Sequence, residues 1–214
     1  MASRTADDAE PPTATFSREY FDRRYTQDPD PWGLATKWYE RRKYALTIAS
    51  LPRARYRNCF EPGCAIGELT RLLAPRCARL LAVDFAEGAL EQARSAVREF
   101  EHVEVKRSKL PEQLPSDRYD LIVVSEILYY FSSEDLNLML DGLVDRLDTG
   151  GDLVTIHCRA SDRRHGYDGF NVHCSIDARR ELERLVHHED EDFVLDVFRR
   201  WDGSGHGESA HPAS

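Results

Sequence analysis

Beyond Pro52 the chain changes its hydrophobic period again and again. Short apolar runs at 58–61, 80–84, 103–106, 121–125 and 152–157 have the length of strands. Stretches at 68–73, 86–100 and 135–147 carry apolar residues at helical spacing. Strands that alternate with helices pair in parallel, because each return across a sheet needs a crossover long enough to hold a helix. The expected fold is therefore a doubly wound α/β sheet in a single domain. Past 157 a polar stretch leads to a helix at 176–185 and strands at 186–189 and 193–199. The last two make an antiparallel hairpin edge and bring the sheet to seven strands.

Ahead of this pattern, 17–25 and 38–51 read as two amphipathic helices, separated by a break at 28–31 and closed by Pro52. Residues 1–14 and 203–214 lack periodicity and are expected to be flexible tails around a domain at 15–202. An apolar share of 41% is enough for one sizeable core. Asp and Glu outnumber Lys and Arg by 38 to 29, a formal charge of -9. That balance repels phosphate backbones and argues against nucleic acid, favouring a neutral or cationic small molecule. No apolar run approaches membrane-spanning length, and the first residues lack a basic-then-apolar leader, so no membrane partner and a cytoplasmic location are expected. Five cysteines, Cys59, Cys64, Cys77, Cys158 and Cys174, form no regular framework and are read as reduced thiols.

The chemistry is concentrated where the first strand turns into its helix, at Glu61-Pro62-Gly63-Cys64-Ala65-Ile66-Gly67. Ligands of such sheets bind beyond the carboxyl ends of the strands, at this kind of turn. Gly63 lets backbone approach a ligand, Gly67 lets the helix start close to the strand, and the helix N-terminus offers unpaired N–H groups. Asp84 closes the second strand 17 residues after Gly67. A carboxylate there accepts hydrogen bonds from both hydroxyls of a ribose.

Glu61-x-Gly63-x-x-x-Gly67, then Asp84, then Asp120-Leu121-Ile122-Val123-Val124 after a Leu-Pro step, resembles the ordered motifs of class I S-adenosylmethionine-dependent methyltransferases over about residues 55–158. Cys64 and Ala65 stand where glycine is frequent, and Ser108 where many relatives carry Asp or Asn. Asp30-Pro31-Trp32, Trp38 to Tyr44 and Ser125-Glu126-Ile127-Leu128-Tyr129-Tyr130 are similar to the nodulation protein S family. The resemblance implies a Rossmann-like sheet, S-adenosyl-L-methionine as cofactor and a small-molecule acceptor. A named member N-methylates the amino sugar of a chitooligosaccharide. By resemblance Glu61, Gly63 and Gly67 hold the methionine part, Asp84 the ribose, and Phe85 and Leu110 the adenine faces. Ser125 and Glu126 then border the sulfonium, while Trp32 and Arg41 form a lid over the methionine carboxylate. Core packing for Trp32 and a solvated charge for Arg41 are the competing readings.

Methyl transfer from a sulfonium is a direct displacement, so positioning of the acceptor lone pair supplies much of the rate. An ammonium has no such lone pair and must first lose a proton to a base or to water. Tyr129 and Tyr130, after the fourth strand, and His157, at the end of the fifth, are the candidate catalytic groups, with packing roles as the alternative. His157-Cys158, His165 and His173-Cys174 lack metal-ligand spacing, and no metal is expected. The leading reading is N-methylation of an amino sugar or aminoglycoside-like amine. O-methylation of a sugar, phenolic or carboxylate acceptor uses the same cofactor site, and a cofactor-binding protein without catalysis is the non-enzymatic alternative. A nicotinamide dehydrogenase expects Gly where Ala65 stands.

Overall fold

The computed structural model describes residues 14–159 and 169–201. Two helices, α1 (Arg18–Gln27) and α2 (Trp38–Ala49), precede the sheet. There follow β1 (Cys59–Pro62), α3 (Glu68–Leu73), β2 (Leu80–Asp84), α4 (Glu87–Ala96), β3 (Val103–Arg107) and β4 (Tyr119–Ser125). A 3-10 turn, Leu128–Tyr130, leads into α5 (Ser133–Arg146), β5 (Leu147–Cys158), α6 (Gly169–Asp177), β6 (Leu182–Glu189) and β7 (Phe193–Arg200). The sheet has seven strands in the order β3-β2-β1-β4-β5-β7-β6. Strands β1 to β5 pair in parallel, and β7 runs antiparallel to both β5 and β6.

The order reverses between β1, which continues outward to β2, and β4, reached by a longer path. That reversal opens a crevice at the carboxyl ends of β1 and β4. Burial of Tyr119 to Val124 along β4 leaves its side chains covered on both faces, as a central parallel strand requires. One apolar layer packs α5 and α6 against Ile122, Val124 and Leu153; the other packs α2 and α3 against Leu121, Val123 and Val154. Asp120 is structural: its carboxylate accepts the backbone N–H groups of Arg57 and Asn58 and ties the start of β1 to β4.

The expected helix at 176–185 is not formed. Ile176 lies near the end of α6, which begins at Gly169, and Leu182 already belongs to β6. The reason is a register shift between Arg184 and Val186. An irregularity of this kind breaks the two-residue alternation, so Leu182, Leu185 and Val186 mimic helical spacing while sitting in an edge strand. Strand β5 also starts earlier than expected, at Leu147, carrying Gly150 at φ +75°. Among the described residues no helix is long and apolar enough to cross a membrane. None of the five cysteines is in a disulfide, and three of them are buried.

Candidate active site

A cavity of about 1140 Å³ opens over the carboxyl ends of β1, β2 and β4. A single small-molecule site holds roughly 300–1,000 Å³, so this one has room for two ligands side by side. Trp32, Glu61, Gly63, Asp84, Phe85, Leu110, Ser125, Glu126, Tyr129 and Tyr130 all line it.

The half beside β1 and β2 is shaped by backbone. Gly63 has φ +74°, and a Cβ there would stand 2.3 Å from Ile127 Cγ2. Ala65 also takes a left-handed conformation, φ 48°, although it is not glycine. Its N–H donates to Asp84 Oδ2 at 3.0 Å, which offsets that strain. Asp84 Oδ1 accepts the N–H groups of Phe85 and Ala86 at 2.8 and 3.0 Å, fixing the turn that leads into α4. Burial raises the Asp84 pKa against these three backbone bonds. Glu61 is 2% exposed, and its Oε2 has no hydrogen-bond partner among the described residues. Burial pushes its carboxyl up to about 8, and the nearby Asp84 adds to the rise. Ser108 lines the cavity, but its hydroxyl is spent on the Gln113 carbonyl at 2.7 Å.

The half beside β4 and β5 is shaped by side chains converging on Glu126. Its Oε1 accepts from Tyr39 Oη at 2.8 Å and Lys43 Nζ at 2.9 Å. Its Oε2 accepts from Tyr129 Oη at 2.7 Å and from the Cys158 N–H at 2.8 Å. Burial works against ionisation here, but Lys43 and these donors outweigh it and hold the carboxyl at about 2. Lys43, fully buried, also pairs with Glu40 at 2.7 Å. Burial alone would lower the ammonium, yet the two carboxylates raise its pKa. Two carboxylates face this one ammonium, and burial raises the pKa of Glu40.

Across the opening lies α1, with no buried residue of its own. Tyr20, Phe21, Arg24 and Tyr25, one helical face, border the cavity. The Phe21 ring meets Phe85 at 5.2 Å, Tyr130 at 5.0 Å and Trp32 at 6.1 Å.

Three expected residues stand elsewhere. Arg41 is exposed and does not border the cavity, because α2 turns Glu40, Lys43 and Tyr44 inward and carries Arg41 about 100° away. Gly67 N-caps α3 at φ +85°, and a Cβ there would meet Ala93 Cα at 2.8 Å. Its role is the approach of α3 to α4, with no surface on the cavity. His157 is fully buried behind the wall. Its Nε2 accepts from the Leu128 N–H at 3.3 Å and its Nδ1 meets His173 Nε2 at 3.1 Å. His173 Nδ1 in turn meets Asp196 Oδ2 at 2.5 Å. Burial, with His173 alongside, drives the His157 pKa well below its usual value, so a neutral ring with both nitrogens occupied supports the Leu128–Tyr130 turn from behind. These histidines pair with each other, and among the described residues no group of three or more His, Cys, Asp or Glu is placed to hold a metal. His165 lies outside the described residues.

Sequence reasoning missed Tyr39, Glu40 and Lys43. The available signal was Glu40, Lys43, Tyr44 and Thr47 on one helical face, at spacing that puts charge where a core stripe belongs.

The family model for nodulation protein S matches residues 17–169. The chain belongs to the nodulation protein S family. Nodulation protein S of Rhizobium tropici is 33% identical over 127 residues, 58% of this chain and 53% of that relative. The chain thus spans about half the length of the curated relatives it matches. The N-methyltransferase member from Bradyrhizobium japonicum WM9, solved with S-adenosyl-L-homocysteine, superposes with a TM-score of 0.76 at 27% identity. That match covers 85% of this chain and 97% of the other. A solved structure from Pseudomonas syringae is 41% identical with a TM-score of 0.69, over 77% of this chain and all of its own. The Rossmann-like sheet of this nodulation protein S relative is therefore the one its solved methyltransferase neighbour shares.

Proposed function

We propose that this chain is an S-adenosyl-L-methionine-dependent methyltransferase acting on a small-molecule amine, of the kind carried by an amino sugar or an aminoglycoside-like compound. When bound, the cofactor supplies an electrophilic methyl group on a sulfonium. The residues present fit it: Glu61, whose Oε2 has no hydrogen-bond partner among the described residues, lines the cavity where a methionine ammonium needs a partner, and the Gly63 cradle would be filled by any Cβ. Asp84 serves the ribose, Phe85 and Leu110 the adenine, Trp32 covers this half, and Ser125 and Glu126 stand between the two halves. His157 acts as a positioning residue for the turn carrying Tyr129 and Tyr130.

The observation that carries the choice of nitrogen over oxygen is the hydrogen-bond saturation of Glu126. A hydroxyl acceptor must surrender its proton as it reacts, and Glu126, His157, Tyr129 and Tyr130 are each poorly placed to take one. Glu126 accepts four hydrogen bonds and stays ionised at about 2. His157 is walled off, and burial raises the Tyr129 and Tyr130 hydroxyls above their usual range. An amine that arrives neutral, having released its proton to water, needs no base in the wall.

Calorimetric titration with S-adenosyl-L-methionine and, separately, NAD, followed by mass spectrometry of an amine-bearing sugar panel, tests this. Cofactor binding and the mass gain of one methyl on an amine are expected. Gain on hydroxyl acceptors alone would make it an O-methyltransferase, and tight binding with no product from any acceptor would favour a non-catalytic partner.

A further inference from the structure

We infer that Asp196 and His173 are positioning residues for the wall beyond β4: they fix His157 as the neutral tautomer protonated at Nδ1, the one form that can hold the Leu128 N–H and the turn carrying Tyr129 and Tyr130. The inference concerns how that wall is held in place and does not depend on which acceptor it meets. The direction of the chain follows atom by atom from the turn. Leu128 is fully buried and opens the 3-10 turn, where the first N–H groups lack a partner within the helix itself. Its N–H donates to His157 Nε2 at 3.3 Å, so that nitrogen carries no proton. A neutral imidazole then keeps its proton on Nδ1, which faces His173 Nε2 at 3.1 Å and makes that nitrogen an acceptor in turn. The His173 proton is left on Nδ1, facing Asp196 Oδ2 at 2.5 Å. An ionised carboxylate only accepts, so the chain has a fixed start and a fixed end. Asp196 Oδ1 accepts from His187 Nδ1 at 2.7 Å, and the Arg184 guanidinium lies 3.9 Å away. Burial opposes the Asp196 charge, yet the hydrogen bonds from His173 and His187 outweigh it and lower its pKa. Reversing the rings would set one N–H against another at Leu128 and a bare nitrogen against the Asp196 carboxylate, both inside the core.

The backbone is shaped to bring these groups together. Asp196 on β7 stands opposite Thr155 on β5, and His157 follows two residues later, so both side chains leave the same face of the sheet. Helix α6 packs on that face through Val172 and Ile176. A Cβ on Gly169, the first residue of α6, would collide with the Cys158 carbonyl and stand 2.9 Å from His157 Cβ. Glycine there lets α6 approach β5, and His173, one turn later, reaches both of its partners. At the other end of the chain, the turn that His157 holds joins two parts of the cavity rim. Tyr129 donates to Glu126 Oε2, and the Tyr130 carbonyl accepts the Phe16 N–H at 2.9 Å, just ahead of α1.

The test is nitrogen NMR of the full chain isotope-labelled in its histidine rings, joined to amide hydrogen exchange at Leu128, with the His157 signals identified by their loss in His157→Gln. At about pH 7 the native chain should show His157 with a protonated Nδ1 and a bare Nε2. His173→Gln still accepts through its carbonyl and donates through its amide, so it should keep that tautomer and leave Leu128 exchange within about twofold of native. His173→Lys can still pair with Asp196 but offers only donors. His157 should then turn to the Nε2-protonated form and Leu128 exchange should quicken about tenfold or more, the loss of one buried hydrogen bond. A role in packing alone gives no reason for the His157 tautomer to follow the polarity of residue 173. A charged or Nε2-protonated His157 in the native chain would overturn the inference without any variant having to fold. So would the same His157 tautomer and the same Leu128 exchange in His173→Gln and His173→Lys.

Discussion

Around Gly63 and Asp84 the cavity is lined by backbone held in unusual conformations; around Glu126 it is lined by side chains that meet from distant parts of the sequence. The first half is made within one β-α-β unit, with Ala65 reaching Asp84 across only 19 positions. The second half joins residues 83 and 87 positions apart, Lys43 and Tyr39 to Glu126, and needs α2 docked on a finished sheet. The first half is thus fixed by local backbone, while the second is left to side chains that tertiary packing delivers.

Breaking the side-chain half should cost most. Lys43→Met leaves Glu40 and Glu126 buried without their cation, and urea unfolding should show a loss of about 3–5 kcal/mol, partly restored by adding Glu40→Gln. Gly63→Ala attacks the backbone half, through φ +74° and the contact with Ile127; a loss of about 2–4 kcal/mol is expected, and Ile127→Ala should return the steric share alone. Asp84→Ala should weaken S-adenosyl-L-methionine by about 1.5–3 kcal/mol in calorimetry, with unchanged affinity removing Asp84 from the ribose site.

Glu61 offers a pH test of the same half. Its carboxyl is raised from 4.5 to about 8, so across that window the folded chain keeps a proton that the unfolded chain has lost. Stability of the ligand-free protein should therefore fall as pH rises from about 4.5 to 8, the burial penalty being complete above the folded value. Glu61→Gln should match the native chain near pH 4.5 and exceed it near pH 8, while binding the cofactor less well. The smallest effect belongs to Arg41→Ala: exposed on α2 and away from the cavity, it should change cofactor affinity by less than about 0.5 kcal/mol. A larger loss would mean that α2 turns toward the ligand on binding.

The contrast also explains what could be read in advance. The sheet, its hairpin edge, Gly63 and Asp84 were legible because strand period, glycine at a turn and an acid at a strand end are local properties. Arg41 and His157 were misplaced because a sequence motif marks a helix or strand end without saying which way each side chain turns. Tyr39 and Lys43 went unseen for the same reason, since their partner is supplied by β4. The false helix at 176–185 came from a register shift that local spacing cannot reveal.

Phe21 belongs to neither half and touches both, with Phe85 on one side and Tyr130 on the other. In close-packed surroundings a ring cannot yield toward one neighbour without pressing on the next. A ligand that displaced the ring from one side would press it toward the other, and a coupling of that kind is equal in either order of filling. One phenylalanine on a helix with no buried residue of its own thus stands where the two halves of the cavity meet.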